Sequence, residues 1–221
     1  MKLTEFYTLP TDCAATCPSD YLAAMAAAGE THMALCGQTM EDLLQRGESM
    51  MISRTALRFV QPTVRPTTVR TRQIAARGVR AERLFQFFCG DELVAEGINE
   101  YFCVNLETRR AIRADWFAQT GEPYDGECQL CRIPMPETGK PIAEHTVADE
   151  CVDYNGHLNN RFYCDYAMEA LGRTDFPREL YIQYLHEMLP HTAFTLHRSA
   201  DGCVAYGKQG DSVTFTALCV D

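Results

Sequence analysis

The sequence has no run of eighteen apolar residues, and Met1-Lys2-Leu3-Thr4-Glu5 lacks the basic-then-apolar pattern of a signal peptide. A membrane-spanning helix needs about twenty apolar residues, so we predict neither membrane insertion nor export and expect a cytoplasmic location. The sequence also lacks Gly-x-Ser-x-Gly, and its serines fall in turns or ordinary strand positions. A serine nucleophile of the kind that this motif carries is therefore disfavoured.

Cysteine, by contrast, is frequent, with 11 in 221 residues. The cysteines are scattered through apolar segments and do not form the framework of a short secreted chain, which predicts reduced, partly buried thiols. Two close pairs, Cys13 with Cys17 and Cys128 with Cys131, raise the question of a zinc site. The pairs are far apart in sequence, and one has a wider gap than a zinc knuckle, so we predict no metal site and no cofactor.

Charge and hydrophobicity limit the class of protein. A chain of 221 residues with 46% hydrophobic content can bury a sizeable core in one large domain or two small ones. Its net charge of -10 argues against non-specific nucleic-acid binding. One basic segment, which we call the arginine strip, nevertheless carries eight arginines and a single acid, Glu82. Its arginines are Arg54, Arg58, Arg65, Arg70, Arg72, Arg77, Arg80 and Arg83.

Two interpretations of the arginine strip stay open. A basic segment on an acidic protein suggests an anionic partner. Alternatively, the strip is a solvated sheet face whose arginines pair with acids from the other half of the chain, as surface charges commonly do.

The first half of the chain shows one strand, a helical region and four further strands. The helical region begins near Pro18, with Ser19 or Asp20 as its cap, and Gly29 and Gly37 mark bends or ends. A second helical piece follows, capped by Thr39. Short turn signals between the later strands predict antiparallel pairing. The predicted strands cover residues 2–9, 50–60, 67–76, 82–90 and 93–105, and the second helical piece covers residues 39–46.

The second half repeats this order after a linker rich in Pro and Gly, in which only residues 114–119 look helical. Trp116 and Phe117 are expected to pin the linker to the body. The repeat predicts a first unit at residues 1–106, a linker at 107–141 and a second unit at 142–221. In the second unit we predict a helix at residues 158–171 and strands at 142–147, 180–185, 193–198, 204–207 and 213–220.

A polar motif precedes the helix of the second unit. In an extended segment, Asp153, Asn155 and His157 point the same way, towards the free backbone N–H groups at the start of the helix, which can hold a developing negative charge. Alternatively, Asp153, Asn155 and Asn159 are ordinary turn and cap residues, and His157 is a partly exposed loop histidine. Spacing alone does not decide between these interpretations.

The motif Asp-x-Asn-Gly-His-Leu-Asn-Asn-x-x-Tyr, which begins at Asp153, resembles the signature of the acyl-acyl-carrier-protein thioesterases, a hotdog-fold family whose bacterial members carry two hotdog units in one chain. The resemblance extends to Glu187, about thirty positions after the histidine, and to residues 104–110, which resemble the segment that closes the first unit. This chain departs from the family pattern at Leu185-His186, where basic residues are usual, and at Tyr101, where a tryptophan is usual.

The resemblance implies an α+β fold of two tandem hotdog units, each a long helix wrapped by a curved antiparallel sheet, with the sheets edge to edge and the helices on one side. It also implies one active site per chain, because only the second unit carries the motif. His32, inside the helical region of the first unit, is expected in the core or on the surface.

The catalytic set implied by the resemblance is Asp153, Asn155, His157 and Glu187. In this set the two carboxylates flank the attack site, and which of them is base or nucleophile stays open. His157 orients the reacting groups or transfers a proton, and Asn155 fixes the substrate carbonyl or the water. Backbone N–H groups at the start of the helix donate hydrogen bonds to the oxyanion. A Cys164–His157 pair is the rival nucleophile, which a separation of seven residues disfavours.

The implied function is hydrolysis of fatty acyl-acyl carrier protein to a free fatty acid, with the acidic carrier docking on the arginine strip. Alternatives are an acyl-CoA thioesterase of the same fold, a non-catalytic acyl-binding hotdog protein and, less favoured, a hotdog dehydratase. A homodimer stays open. The acyl tail is expected in a tunnel of the first unit lined by Leu22, Met25, Met33, Met51, Ile52 and Phe59.

Overall fold

Eleven strands form one continuous sheet in the computed structural model of this chain, which describes residues 1–136 and 138–221. The strands are β1 Tyr7–Pro10, β2 Glu48–Phe59, β3 Thr68–Arg77, β4 Arg80–Cys89, β5 Glu92–Asn105, β6 Arg110–Ile112, β7 Gly139–Thr146, β8 Glu179–Tyr184, β9 Ala193–Ser199, β10 Val204–Gln209 and β11 Ser212–Val220. Their order across the sheet is β1-β3-β4-β5-β2-β8-β11-β10-β9-β7, with β6 paired to β5.

Each strand predicted from alternation has a counterpart in this sheet, and all pairings between strands are antiparallel. The largest difference is at β1, which begins at Tyr7 and not at residue 2. A turn occupies the preceding residues, since the Glu5 N–H donates to the Lys2 carbonyl at 3.1 Å. The alternation of apolar and polar residues identifies strands well, because successive side chains of a strand point to opposite faces and only one face of a half-buried strand is buried.

Among the described residues, three α-helices accompany the sheet: α1 Pro18–Leu35, α2 Met40–Gln45 and α3 Asn160–Leu171, with a 3-10 turn at Asp149–Cys151. The N-cap of α1 is Cys17, not Ser19 or Asp20, and the Asp20 carboxylate accepts hydrogen bonds from the backbone N–H of Cys17 and of Thr16. The predicted Thr39 cap of α2 is confirmed, since its hydroxyl accepts from the Asp42 N–H at 3.1 Å. In the described part of the chain, none of the helices has the length and hydropathy needed to cross a bilayer.

Helix α1 runs straight through Gly29 and ends near Gly37, whose φ of 74° is the left-handed conformation that glycine adopts at low cost. At Gly29 a Cβ would lie 3.6 Å from the Phe85 ring, which is an ordinary van der Waals contact, so this position does not require glycine. Because α1 continues from Pro18 to Leu35, Gly29 does not end the helix.

Both long helices lie on one face of the sheet. Tyr21 and Met25 of α1 share a buried core with Tyr163 and Ala167 of α3 and with sheet residues such as Phe215. The opposite face is covered by the linker, in which Tyr124, Cys128 and Leu130 pack on a second cluster formed by Ala56, Ile74, Leu84 and Ile98. The core is thus shared by both halves of the chain.

The predicted linker at residues 107–141 differs from the structure in that it contains the short strand β6 and that the strand β7 already begins at Gly139. Residue 137 of this linker lies outside the described residues. Residues 114–119 form a single turn and no helix. The preceding residue, Arg113, is a poor N-cap, whereas Thr39 caps the equally short α2. The prediction that Trp116 and Phe117 pin this segment is confirmed: Phe117 is buried, and Trp116 Nε1 donates to Glu48 at 3.1 Å.

The two halves meet where β2 pairs antiparallel with β8, and Thr55 lies opposite Ile182 in this register. We call this pairing the seam. It places the predicted units edge to edge with both long helices on the same side, as expected. The boundaries 1–106, 107–141 and 142–221 themselves stay predictions.

His32 lies in the core, fully buried, where its ring stacks on Tyr7. Its Nδ1 is 2.9 Å from Nη1 of Arg83, and because an arginine can only donate, the imidazole accepts this hydrogen bond. Burial, and then the neighbouring Arg83 charge, lower the pKa of His32 from 6.5 to about 4. The folded protein therefore keeps this histidine neutral where the unfolded chain would protonate it.

We expect the free energy of unfolding to decrease as the pH is lowered from about 6.5 to 4, because only the unfolded chain gains the His32 proton in this range. The contribution of neutral His32 to the free energy of unfolding is fully present above pH 6.5. Below pH 4 this contribution is lost, and the free energy of unfolding is lower by about 3 kcal/mol. Urea titrations at a series of pH values measure it. His32→Gln, which keeps an acceptor for Arg83, should flatten the curve in this window, whereas His191→Gln, at an exposed histidine, should leave it unchanged. An equal slope in wild type and His32→Gln would contradict the assignment.

Candidate active site

The polar motif forms a tight loop and not the extended segment that the alternation predicted. The Gly156 N–H donates to the Asp153 carbonyl at 3.0 Å, and the Asp153 N–H donates to the His157 carbonyl at 2.8 Å. Gly156 has a φ of 80°, which favours glycine, and an Asn-Gly pair is a common turn signal. The three polar side chains are therefore positioned by a turn and not by strand alternation.

Asp153 holds this loop together. Its Oδ1 accepts the backbone N–H of Asn155 at 2.8 Å and that of His157 at 3.4 Å. This is the turn role that the alternative interpretation gave to Asp153. Its Oδ2 receives no hydrogen bond from the described residues, and the side chain lines the cavities described below.

Glu187 meets His157 across the sequence, as the resemblance implied. Nε2 of His157 lies 3.1 Å from Oε2 of Glu187, and both side chains are about three-quarters buried. The contact exists because the Leu158 N–H donates to the Met188 carbonyl at 2.8 Å, which ties the segment after β8 to the motif loop. Met188 is itself fully buried, so this connection is anchored in the core.

Arg109 is a site residue for which the sequence provided no role. Its Nη2 donates to Oε2 of Glu187 at 2.6 Å, so this one oxygen takes both the arginine and the histidine contact. Arg109 has a φ of 56°, a conformation uncommon outside glycine, at the end of a turn in which Asn105 accepts its backbone N–H. In the sequence, Arg109 belongs to residues 104–110, which carry part of the family resemblance, and its charge was the available signal.

The start of α3 offers one backbone donor for an oxyanion. Among residues 158–162, the N–H groups of Leu158, Asn159, Arg161 and Phe162 donate to groups within the chain. The N–H of Asn160, the first helical residue, makes no hydrogen bond with the described residues, and Asn160 lines both cavities. The predicted set of helix N–H donors is therefore reduced to one.

Two cavities meet at the motif loop. The first, the site cavity, has a volume of about 770 Å³ and is lined by His157, Glu187, Arg109, Met51 and Leu44 among others. The second, the inner cavity, has about 410 Å³ and extends between α1 and the sheet of the first half, past Leu22, Met33 and Arg83. Both cavities are lined by Met50, Ile52, Asp153, Tyr154, Asn155, Asn160 and Tyr184.

The tunnel residues predicted from the sequence divide into two groups. Leu22 and Met33 line the inner cavity, Met51 lines the site cavity, and Ile52 lines both. Met25 and Phe59 are buried members of the core and line neither cavity. The pattern of apolar residues did not reveal which of them lie beside a void.

The rival nucleophile Cys164 is fully buried in the shared core. Burial raises the pKa of its thiol well above the ordinary value, so it is protonated at neutral pH and cannot act as a thiolate. All eleven cysteines are free thiols, and Cys203 is the exposed one.

The arginines of the strip are largely engaged within the chain. Arg54 makes a two-pronged contact with Glu100, and Arg58 contacts Glu96 and Glu127. Glu96 and Glu100 belong to β5, so the pairing is with the same half of the chain and not with the other half. Docking of a carrier protein on this strip stays a prediction, and the internal ion pairs weaken its basis.

The fold and the site define an α+β protein of two tandem hotdog units, with a His–Glu pair at the mouth of a cavity. No family model matches the chain, and no curated protein matches it in sequence. Among solved structures, an acyl-ACP thioesterase from Bacteroides thetaiotaomicron is similar, with a TM-score of 0.75 at 16% identity over 98% of this chain and 96% of that chain. The 12:0-ACP thioesterase from Umbellularia californica gives 0.69 at 17% identity over 100% and 97%. This likeness confirms the predicted double-hotdog fold.

Proposed function

We propose that this protein is a thioesterase that hydrolyses fatty acyl-acyl carrier protein to a free fatty acid. The proposal is carried by the Glu187–His157 pair, 3.1 Å apart, at the mouth of a cavity that continues between helix and sheet. The known activity of the proteins with the same fold supports the same class of substrate. Asp153, Asn155, His157 and Glu187 form the catalytic set of this proposal.

Glu187 acts as the general base. Its Oε2 is occupied by Arg109 and His157, whereas Oε1 takes no hydrogen bond from the described residues and is available to a water molecule. Proton transfer to Oε1 lets the water oxygen attack the thioester carbonyl, and Arg109 and His157 hold the carboxylate in place for this step. Asp153 Oδ1 accepts the backbone N–H groups of Asn155 and His157 and so holds the loop that carries the imidazole.

Attack moves negative charge onto the carbonyl oxygen. The free N–H of Asn160, at the positive end of α3, and the amide of Asn155 can donate hydrogen bonds to that oxygen. Collapse of the intermediate breaks the C–S bond, and the thiolate leaves with little acid help because its basicity is low. The proton that Glu187 took from water passes to the sulfur by way of His157, which yields a free acid and a free thiol and restores the Glu187 carboxylate.

A panel of acyl-carrier-protein and acyl-CoA thioesters of several chain lengths tests the proposal, with free thiol as the readout. We expect turnover on the order of 1 s⁻¹ or faster for the best carrier-protein substrate, as is common for enzymes. Activity restricted to the CoA series would support an acyl-CoA thioesterase instead. If no thioester in either series is cleaved, the proposed activity is wrong, and a non-catalytic acyl-binding protein becomes the explanation.

A further inference from the structure

The inner cavity contains a buried cation. Arg83 lines this cavity and is only 4% exposed. Its two hydrogen bonds both come from Nη1, one to Nδ1 of His32 at 2.9 Å and one to the Thr71 hydroxyl at 3.5 Å. Within residues 1–136 and 138–221, no carboxylate lies within salt-bridge distance of Arg83, and Nε and Nη2 take part in none of its hydrogen bonds.

This lack of a counterion distinguishes Arg83 from three arginines of the strip, whereas the buried Arg72 also lacks an ion pair with the described residues and donates from Nη1 to the Glu122 backbone carbonyl at 2.6 Å. Arg54, Arg58 and Arg80 of the same strip all contact glutamates, although they are more exposed and need the compensation less. A buried charge without a partner costs several kcal/mol, so such a group is retained where something else compensates it. The group that Arg83 contacts, His32, is a neutral acceptor and supplies no negative charge.

A second donor lies on the same wall. The Tyr184 hydroxyl, Thr55 and Asn99 form a chain of contacts in which Thr55 donates to Asn99 at 2.7 Å. The Asn99 amide in turn donates to the Tyr101 oxygen at 3.0 Å, so the hydroxyl proton of Tyr101 is left for another acceptor. All of these residues line the inner cavity. This part of the wall, on β4, β5 and β2, therefore offers hydrogen-bond donors to a ligand, whereas the carboxylates of Glu30 and Asp153 line other parts of the same cavity.

The donors lie far from the reacting carbonyl. Ile182 pairs with Thr55, Thr55 with Asn99, and Asn99 with Arg83, so these four residues form one row across four strands. Three strand spacings separate Arg83 from β8, the strand that leads to Glu187, which amounts to about 14 Å. A ligand whose thioester lies at Glu187 would bring the distal part of its acyl group to Arg83.

We propose that the acyl group carries an oxygen acceptor, a carboxylate or a hydroxyl, at its distal end, and that Arg83 and Tyr101 bind this oxygen. The inference rests on the proposed thioesterase function and names its substrate class. A methyl-terminated chain would instead place hydrocarbon against an unpaired guanidinium. The substrates would thus be ω-oxygenated acyl thioesters and not the ordinary saturated series.

The experiment compares acyl-carrier-protein substrates of equal chain length that end in methyl, hydroxyl or carboxylate. For wild type, we expect kcat/KM to be at least about tenfold higher for one oxygenated series than for the methyl series, which is the size of effect that a hydrogen bond to a charged group gives. Comparing the hydroxyl-terminated series with the carboxylate-terminated series identifies which of the two groups is preferred. Equal rates, or a preference for methyl, would overturn the inference while leaving the thioesterase proposal intact.

Variants test the assignment to Arg83. Arg83→Met should remove the preference for the oxygenated substrate and leave the methyl series equal or faster, and Tyr101→Phe should reduce the preference by a smaller factor. Arg80→Met, at a half-exposed arginine of the same strand, is the matched control and should leave the preference unchanged. If Arg83→Met does not fold, the wild-type panel and Tyr101→Phe still decide the question.

Calorimetric titration of wild type with free acids separates this inference from the catalytic proposal. An α,ω-dicarboxylate that binds more tightly than the monocarboxylate of equal length supports the role of Arg83 even where no thioester is cleaved. If the two acids bind equally, or the monocarboxylate binds more tightly, the inference is wrong whatever the turnover.

Discussion

Replacing Glu187 by glutamine is expected to lower kcat for thioester hydrolysis by about a hundredfold or more, because the amide cannot take a proton from water. Glutamine keeps the size of the side chain and can still accept from Arg109, so the loop and the cavity should be retained. KM should change much less than kcat if the carboxylate acts mainly in the transition state. Steady-state kinetics with the best substrate of the panel measure both constants.

Glu169→Gln is the matched control for this change. Glu169 also contacts a histidine, since its Oε1 lies 3.0 Å from Nε2 of His145, but this pair lies outside the two cavities. The control should therefore keep near-normal turnover. A similar loss in both variants would indicate a general effect on the fold, and near-normal turnover of Glu187→Gln would remove this residue from the proposed mechanism.

Replacing Asn160 by proline is expected to lower kcat by about a hundredfold, which is the usual cost of losing one oxyanion donor. Proline suits the first position of a helix, because the missing N–H has no helical partner there. The preceding residue, Asn159, has φ -61° and ψ 135°, which is the conformation that precedes proline most easily. The substitution thus removes the donor with little expected strain.

Asn160→Ala distinguishes the role of the backbone N–H from that of the side chain, since it removes the side-chain amide and keeps the backbone N–H. We expect this variant to lose less than about tenfold in kcat, well short of the loss expected for a missing oxyanion donor. Circular dichroism and thermal unfolding should show both variants folded. Equal activity of the proline and alanine variants would mean that the Asn160 N–H does not contact the oxyanion.

Much of the architecture could be predicted because each element carries a local signal. Alternation located the strands of both halves, and Thr39 marked the start of α2 with the capping chemistry that the structure contains. The meeting of Glu187 and His157 was predicted from a family resemblance. Nothing in their separation of thirty positions requires contact, which depends on the backbone hydrogen bond from Leu158 to Met188.

Other features could not be predicted, for physical reasons. The side-chain directions of the motif depend on a turn of five residues, and a short loop can be extended or folded with the same composition. Arg83 and Arg80 have the same formal charge and lie three residues apart, but one is buried beside the inner cavity and the other is exposed. Charge counting along the sequence treats them as equal, because it contains no information on which side of a strand faces a void.

The seam has a consequence for how the protein opens. Backbone hydrogen bonds between β2 and β8 tie the wall of the inner cavity directly to the strand that leads to Glu187. A rotation that separates the two hotdog units would break these hydrogen bonds and leave the edges of β2 and β8 unpaired, so we do not expect such a rotation. We expect side chains at the surface to rearrange so that the acyl group can enter. The Glu187–His157 pair and the inner cavity should keep their relative positions during this entry.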